Sequence, residues 1–470
     1  MNNYEPIIGL EVHVELSTRS KMFCSCSADY FGKESNTHTC PVCLGLPGAL
    51  PVPNKAALEN CMKLGLALGC KISDESRFER KNYFYPDLPK GYQISQYRWP
   101  LCKSGIVKVR NKIGEVREIR INRVHQEEDT GKLTHSGENT LIDYNRSGVP
   151  LVEIVTEPDF RDTEEIRDYA KKIQQICRYL GISNADMEKG DMRLEANVSV
   201  RKVTAGHPEL VEGSLAHAGP TSVGDSSSTT RNDMLPPYRV ELKNINSFRF
   251  MVAAVEYEIR RQIEALDKGE RLIQETRGWN ENKKQTYTQR VKEEANDYRY
   301  FADPDLTEMI VDSDSVKKTK EEMQELPVDK QKRFVASYGL SETQAIMLTD
   351  TREFADYFEE AVRVGKEYSL QPTKVANTLI NKKFNRDEIL PAKFVEMLVG
   401  EQEKGVLPDE ELEKIIAQAI TDNPQAVADY KKGKESSVQF LVGQVMKFTH
   451  GKADPNRAKE LLTEKLSSRV

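Results

Sequence analysis

The sequence predicts an α+β protein in which a strand-rich first domain, residues 1–295, is followed by helices. Three observations carry this expectation. Apolar and polar residues alternate with period two in several early segments, as in strands with one buried face. From about Lys317 onward the apolar spacing changes to three and four, as in amphipathic helices. Gly405-Val406-Leu407-Pro408 then reads as a linker, which divides the helical part into a domain at 296–405 and a small all-α tail at 406–470.

The first strand is set by Ile8, Leu10, Val12, Val14 and Leu16, alternating with Glu11, His13 and Glu15. Met192, Leu194, Ala196, Val198 and Val200 alternate with Arg193, Glu195, Asn197, Ser199 and Arg201 in a second. Val240 and Leu242 alternate with Arg239, Glu241 and Lys243 in a third. Two helices interrupt the strands. One follows Asp162, with Ile166, Tyr169, Ile173, Ile176 and Leu180 on one face and Gly181 as its stop; the other covers about Phe250 to Leu266. Lys202–Pro237 has no periodicity and a Ser/Thr/Gly-rich centre, so it reads as a flexible insertion. Further on, Leu326–Tyr338, Thr351–Tyr368, Pro391–Gly400, Asp409–Ile420, Ser436–His450 and Pro455–Leu466 are the expected helices.

With 38% hydrophobic and 30% charged residues, no apolar run approaches the roughly 20 residues of a membrane helix. The opening Met-Asn-Asn-Tyr-Glu-Pro has no basic segment leading into an apolar stretch, so a cytoplasmic location is expected. A net charge of −6 argues against a protein that coats nucleic acid over its whole surface, yet leaves room for a local basic patch.

Three constellations carry chemistry. Glu11, His13 and Glu15 lie about 7 Å apart along one strand face, a spacing that suits a shared divalent cation or, on one strand alone, a merely solvated face. The pattern recurs in His125, Glu127 and Glu128, in Glu153 and Glu157, and in the mixed rows Arg193, Glu195, Asn197 and Glu241, Lys243, Asn244. Carboxylates backed by Arg and Lys on several strands fit Mg²⁺ and phosphates, and since no GxxxxGK[ST] loop is present an ATP site must be of another type. Second, Cys24-x-Cys26 and Cys40-x-x-Cys43 can form a closed tetrahedral zinc site that pins the loop between them, the alternative being free thiols, with His38 a spare ligand. The other four cysteines read as core thiols. Third, Arg80–Tyr97 interleaves aromatics with Lys81, Lys90 and amides. Lys81 and Tyr83 there could hold an adenosine or nucleotide, or the stretch is a tyrosine-rich loop packed on the sheet.

With these segments in view, the chain resembles the B subunit family of the aspartyl/glutamyl-tRNA amidotransferases. The resemblance rests on Ile8–Leu16, Lys81–Asp87, His125–Asp129, Asp143–Ile154, Glu241–Phe248, Asp297–Phe301 and Phe440–Lys447, which occur in the family's order. It implies an antiparallel-sheet cradle related to glutamine synthetase, then a helical domain and a tRNA-binding tail. It also implies a heterotrimer with an amidase A subunit and a small C subunit, acting on Glu-tRNA(Gln) and/or Asp-tRNA(Asn) with ATP and Mg²⁺. By the resemblance Glu11, His13 and Glu127 or Glu128 are the candidate magnesium ligands, with Glu153 and Glu157 near them. Lys243, Arg193 and Asn197 would contact nucleotide or the acyl end. Three features depart from the family: the insertion at Lys202–Pro237, Glu195 where Asp is common, and a tail that looks shortened. Two rival readings are a glutamine-synthetase-type ligase acting on a free amino acid and a zinc-containing RNA-binding scaffold.

Overall fold

The computed structural model describes residues 3–203, 235–245, 247–291, 298–382, 385–405, 409–431, 434, 436–449 and 453–467. Two compact units are present, Met1–Pro327 and Val328–Val470.

In the first unit the period-two alternation becomes β1 (Tyr4–Glu15), whose Ile8, Leu10, Val12 and Val14 are buried on one face. Next come β2 (Lys71–Ile72), β3 (Glu75–Ser76), β4 (Glu79–Asn82), β5 (Tyr92–Ser95), β6 (Cys102–Arg110), β7 (Val116–Glu128), β8 (Lys132–Ser136) and β9 (Asn139–Asp143). They are followed by β10 (Pro150–Thr156), β11 (Met192–Lys202), β12 (Val240–Ile245), β13 (Glu275–Asn280), β14 (Gln285–Val291), β15 (Phe301–Ala302) and β16 (Met309–Ile310). Nine of them form one sheet in the order β14-β13-β12-β11-β1-β10-β7-β6-β2. β1 is central, paired antiparallel with β10 on one side and β11 on the other.

Helices α1 (Lys55–Ala67), α2 (Thr163–Tyr179) and α3 (Phe248–Asp267) share one hydrophobic core with the apolar face of this sheet. α2 begins on a capping box in which Asp162 and Glu165 satisfy each other's backbone donors. Gly181, at φ +65°, takes the left-handed turn that ends it. Covering one face with helices leaves the other for polar side chains.

Two expectations need correction. The sheet is mixed, not purely antiparallel, because β12 and β13 pair parallel. The 20-residue α3 between them is the crossover that a parallel pair requires. Nor does the first unit end at residue 295, since β15 pairs with β4 and β16 with β3. Two-residue strands bury too little for any sequence period to announce them.

Among the described residues the second unit is helical and has two hydrophobic cores. One joins Phe334, Phe358, Val375 and Val395 from helices between Pro327 and Gly405. The other joins Ile416, Leu441, Val445 and Leu462 from helices between Asp409 and Ser467. No described helix is long and apolar enough to cross a membrane.

Most of the expected insertion, residues 204–234, lies outside the described residues, as do 292–297 and 406–408 of the other segments read above. Replacing Lys202–Pro237 by a short turn between β11 and β12 is expected to leave turnover within about twofold of the full chain, since the cost of closing a connection changes only slowly with its length. Steady-state turnover of the deletion variant checks this.

Candidate active site on the polar face of the sheet

Register decides which side chains meet. In antiparallel pairs, residues directly opposite each other point to the same face. His13 on β1 lies opposite Glu153 on β10 and Arg193 on β11, and Glu153 lies opposite His125 on β7. One step along, Glu11 lies opposite Glu195, and Asn197 opposite Glu241 on β12.

The result is two separate clusters. His13, Glu127 and Glu153 form the first and Glu11, Glu195 and Glu241 the second, each with its ligand atoms within 4.8 Å of one another. Within the first, His13 Nε2 is 4.0 Å from Glu127 Oε2. In the second, Asn197 donates to Glu11 Oε1 at 2.9 Å, while Lys243 Nζ lies 2.7 Å from Glu195 Oε2 and 3.2 Å from Glu241 Oε1. Oxygen-rich triplets on one face with cations at their edge suit hard divalent ions and phosphates.

The candidate ligands expected from sequence, Glu11, His13 and Glu127 or Glu128, are divided between these clusters. Glu11 belongs to the second cluster and His13 with Glu127 to the first. Glu128 has the opposite parity from Glu127 on β7, and its carboxylate accepts from Lys90 Nζ and, at 2.9 Å, from the Ile94 amide. Glu157 also parts from Glu153. A register shift between Val155 and Thr156 breaks the alternation, and Glu157 accepts instead from Asn122 at 2.8 Å.

His125, Glu195 and Glu241 were outside the expected ligand set. Their signal was in the alternation, but only strand order brings them to the clusters. His125 is fully buried beneath the first cluster, with Nε2 3.0 Å from Glu153 and 3.4 Å from Glu127. Burial opposes its charged form, but Glu153 and Glu127 outweigh that and push its pKa up to about 9. The same contact works on the carboxylates: burial would raise Glu153, yet His125 holds it well below the usual range. In the second cluster, burial and then repulsion from Glu153 and Glu195 push Glu11 up.

A group whose folded pKa is raised stabilises the fold fully below its unfolded value, near 6.5, and loses that contribution as pH climbs through about 9. Without added divalent cation, the stability advantage of the native chain over His125→Gln should therefore shrink between pH 7 and pH 10. Urea unfolding midpoints of the two proteins measure it; a constant difference contradicts the assignment.

Lys81, on β4, stands beside Tyr298 with Nζ 5.2 Å from the ring centre. Burial opposes its charge, but Glu127 and Glu153 keep its pKa above the usual lysine range. Tyr83 meets Tyr298 edge-on, while Phe84 and Tyr85 are exposed, so the aromatic stretch is partly packed and partly open. Arg193 pairs with Asp129, which also faces Arg146 at 3.7 Å. Burial opposes ionisation of Asp129, but the two arginines hold its pKa far below the usual range. Glu15, next to it, is raised by burial and then by Asp129.

Apart from the carboxylates, Cys24, Cys26, Cys40 and Cys43 gather their sulfurs within 4.8 Å. Cys40 and Cys43 are 3.9 Å apart, close to the ~3.8 Å sulfur–sulfur edge of a tetrahedron with metal–sulfur bonds of about 2.3 Å. The four thiols thus fit zinc. His38 instead meets Thr37 through Nδ1 at 3.0 Å.

A mixed sheet thus carries two clusters of potential ligands, five carboxylates and the His13 imidazole, with cationic side chains at their edges, and a separate group of four cysteines lies apart from them. The sequence matches the GatB/GatE catalytic domain over residues 6–317 and the GatB domain over residues 373–466, and the chain belongs to this family. It is 43% identical to the B subunit of the aspartyl/glutamyl-tRNA(Asn/Gln) amidotransferase of Carboxydothermus hydrogenoformans, covering 99% of this chain and 100% of the relative. It is also 43% identical to the protein of that name from Thermoanaerobacter pseudethanolicus (99% of each chain) and 42% identical to that from Brevibacillus brevis (100% of each).

Proposed function

We propose that this chain activates the side-chain carboxylate of a mischarged tRNA, Glu-tRNA(Gln) and/or Asp-tRNA(Asn), with ATP and then amidates it. Family membership carries the tRNA-dependent amidotransferase activity itself. The observation that supports the chemical step is the pair of ligand triplets on one sheet face, five carboxylates and His13, edged by Lys81, Lys243 and Arg193.

A carboxylate is a poor electrophile because its charge repels a nucleophile and oxide is a poor leaving group. Transfer of the γ-phosphoryl group forms an oxygen–phosphorus bond at the side chain and releases ADP. Ammonia then attacks the carbonyl carbon, the carbon–oxygen bond breaks, and phosphate leaves with the side-chain oxygen. Two anions must approach each other in the first step, so positive charge at the site is decisive. His13, Glu127 and Glu153, and Glu11, Glu195 and Glu241, would hold Mg²⁺, which when bound supplies that charge. Lys243 bridges Glu195 and Glu241 and stands ready for a phosphate or acyl oxygen. Lys81 and Tyr83 lie beside the first triplet, where a nucleotide would reach. The four cysteines hold a structural zinc.

In the same reading ammonia comes from glutamine on an amidase A subunit, a small C subunit completes a heterotrimer, and the helical tail engages tRNA. The sheet is a cradle of the glutamine-synthetase kind, and the assembly works in the cytoplasm. One assay separates this from its rivals: the purified trimer with ATP, glutamine and each mischarged tRNA, scored for ADP. Release that requires the aminoacyl-tRNA supports the proposal. Release with free glutamate alone supports a small-molecule ligase, and none under any condition supports a non-catalytic RNA-binding scaffold.

A further inference from the structure

Lys21 is almost wholly buried, 1% exposed, yet no carboxylate pairs with it among the described residues. Its Nζ lies 3.9 Å from Cys43 Sγ and 3.2 Å from the Tyr144 carbonyl. An unpaired buried ammonium is costly, so this position calls for negative charge beside it. Four thiolates around a divalent cation carry a net charge of −2 and supply it.

From the cysteine site the contacts run in two directions to the carboxylate face. The loop between the cysteine pairs carries Tyr30, whose hydroxyl donates to Glu15 at 3.0 and 3.1 Å from the two carboxylate oxygens. The same loop clasps the segment before β10. The Asn36 amide donates to Asp143 at 3.1 Å, the Tyr144 amide to Asn36 Oδ1 at 2.8 Å, and the His38 amide to Asn145 Oδ1 at 2.8 Å. Just after Lys21, the Met22 amide donates to the Gly148 carbonyl at 2.7 Å. Between these clasps lies Arg146, which faces Asp129, the partner of Arg193. The links from the sulfurs to Glu15, Asp129 and Arg193 are short stretches of chain joined by these hydrogen bonds and ion pairs.

We propose that a cation on the four cysteines, through Lys21, Tyr30 and the 142–148 segment, sets the geometry of Glu15, Asp129 and Arg193 at the edge of the carboxylate face. Occupancy of the cysteine site is then coupled to the active site, and Tyr30 is a positioning residue. Only the activity readout below rests on the function proposed above; the coupling itself does not.

The test is amide hydrogen exchange on the full-length zinc-loaded chain before and after removal of zinc by a chelator. Exchange in 142–148 and 127–130 should rise on the order of tenfold together with 24–43, while 163–179 stays unchanged. A cysteine loop that opens while 142–148 keeps its protection overturns the proposal, as does a chain that retains no zinc. The second arm is Tyr30→Phe, which removes one hydroxyl. It should keep one zinc per chain and a protected 24–43 loop, and lower kcat for tRNA-dependent ADP release by roughly tenfold with KM for ATP unchanged. Should chelation open 163–179 as well, this arm decides alone, and native kcat overturns the proposal. Absence of tRNA-dependent ADP release in the native protein would count against the function proposed above, and the exchange result would still decide the coupling.

Discussion

Glu11→Gln should lower tRNA-dependent ATP cleavage by at least about a hundredfold without lowering the unfolding temperature. The two halves of this expectation come from the same geometry. Glu11 shares the second triplet with Glu195 and Glu241, and burial together with its carboxylate neighbours already disfavours its charge. Glutamine keeps the length of the side chain and an oxygen that can accept from Asn197, now at 2.9 Å from Glu11. What it removes is one negative charge, so the cation-free chain loses repulsion and the loaded site loses a ligand. Single-turnover ADP release paired with thermal unfolding separates the effects. A large loss of stability would mean that Glu11 holds the fold together, and near-normal ADP release would remove it from the site.

The second large effect concerns stability. Asp129, 3% exposed, is the shared partner of Arg146 and Arg193 and lies beside Glu15. Asp129→Ala removes the carboxylate that pairs with both guanidinium groups and leaves Glu15 as the acidic group still within their reach. Breaking a buried ion pair by removing one partner costs about 3–5 kcal/mol. Urea unfolding should show a loss of that order, with Asp129→Asn between the variant and the native chain because it restores hydrogen bonding but not charge. A loss below about 1 kcal/mol would mean that water takes over the role of the carboxylate.

The strands of the site were legible because each has one face in the core. Ile8, Leu10, Val12 and Val14 must alternate with something, and what they alternate with is the site. The same rule places Glu127 and Glu128 on opposite faces, so alternation by itself separates these two candidates, and Glu127 is the one that meets His13 and Glu153. Clusters were harder to read because they depend on strand order. Glu241 meets Glu11 only because β11 separates their strands, and nothing local in the sequence states which strands are neighbours. A bulge at Val155 carried Glu157 away for a reason invisible to a period of two.

Helix α1 was illegible for a different reason. Its buried positions include Ala57, Cys61 and Gly65, small residues that give a weak apolar period, although Asn54 caps it by accepting from the Ala57 amide. Gly65 is small by necessity, since a Cβ there would come within 2.4 Å of Cys102 Sγ. Tyr298 and Tyr300 reach the Lys81 region from more than 200 residues away along the chain, through the short pairing of β15 with β4. Contacts of that separation are set by tertiary packing, which the sequence does not display.

Oxygen transfer tests the central claim most directly. Glu-tRNA(Gln) or Asp-tRNA(Asn) carrying ¹⁸O in the side-chain carboxylate is incubated with the complete enzyme, ATP and glutamine, and the released phosphate is analysed by mass. If the carboxylate is phosphorylated before ammonia attacks, each phosphate released with product carries one ¹⁸O from the side chain. Amidated tRNA formed alongside phosphate free of ¹⁸O would contradict activation by phosphoryl transfer.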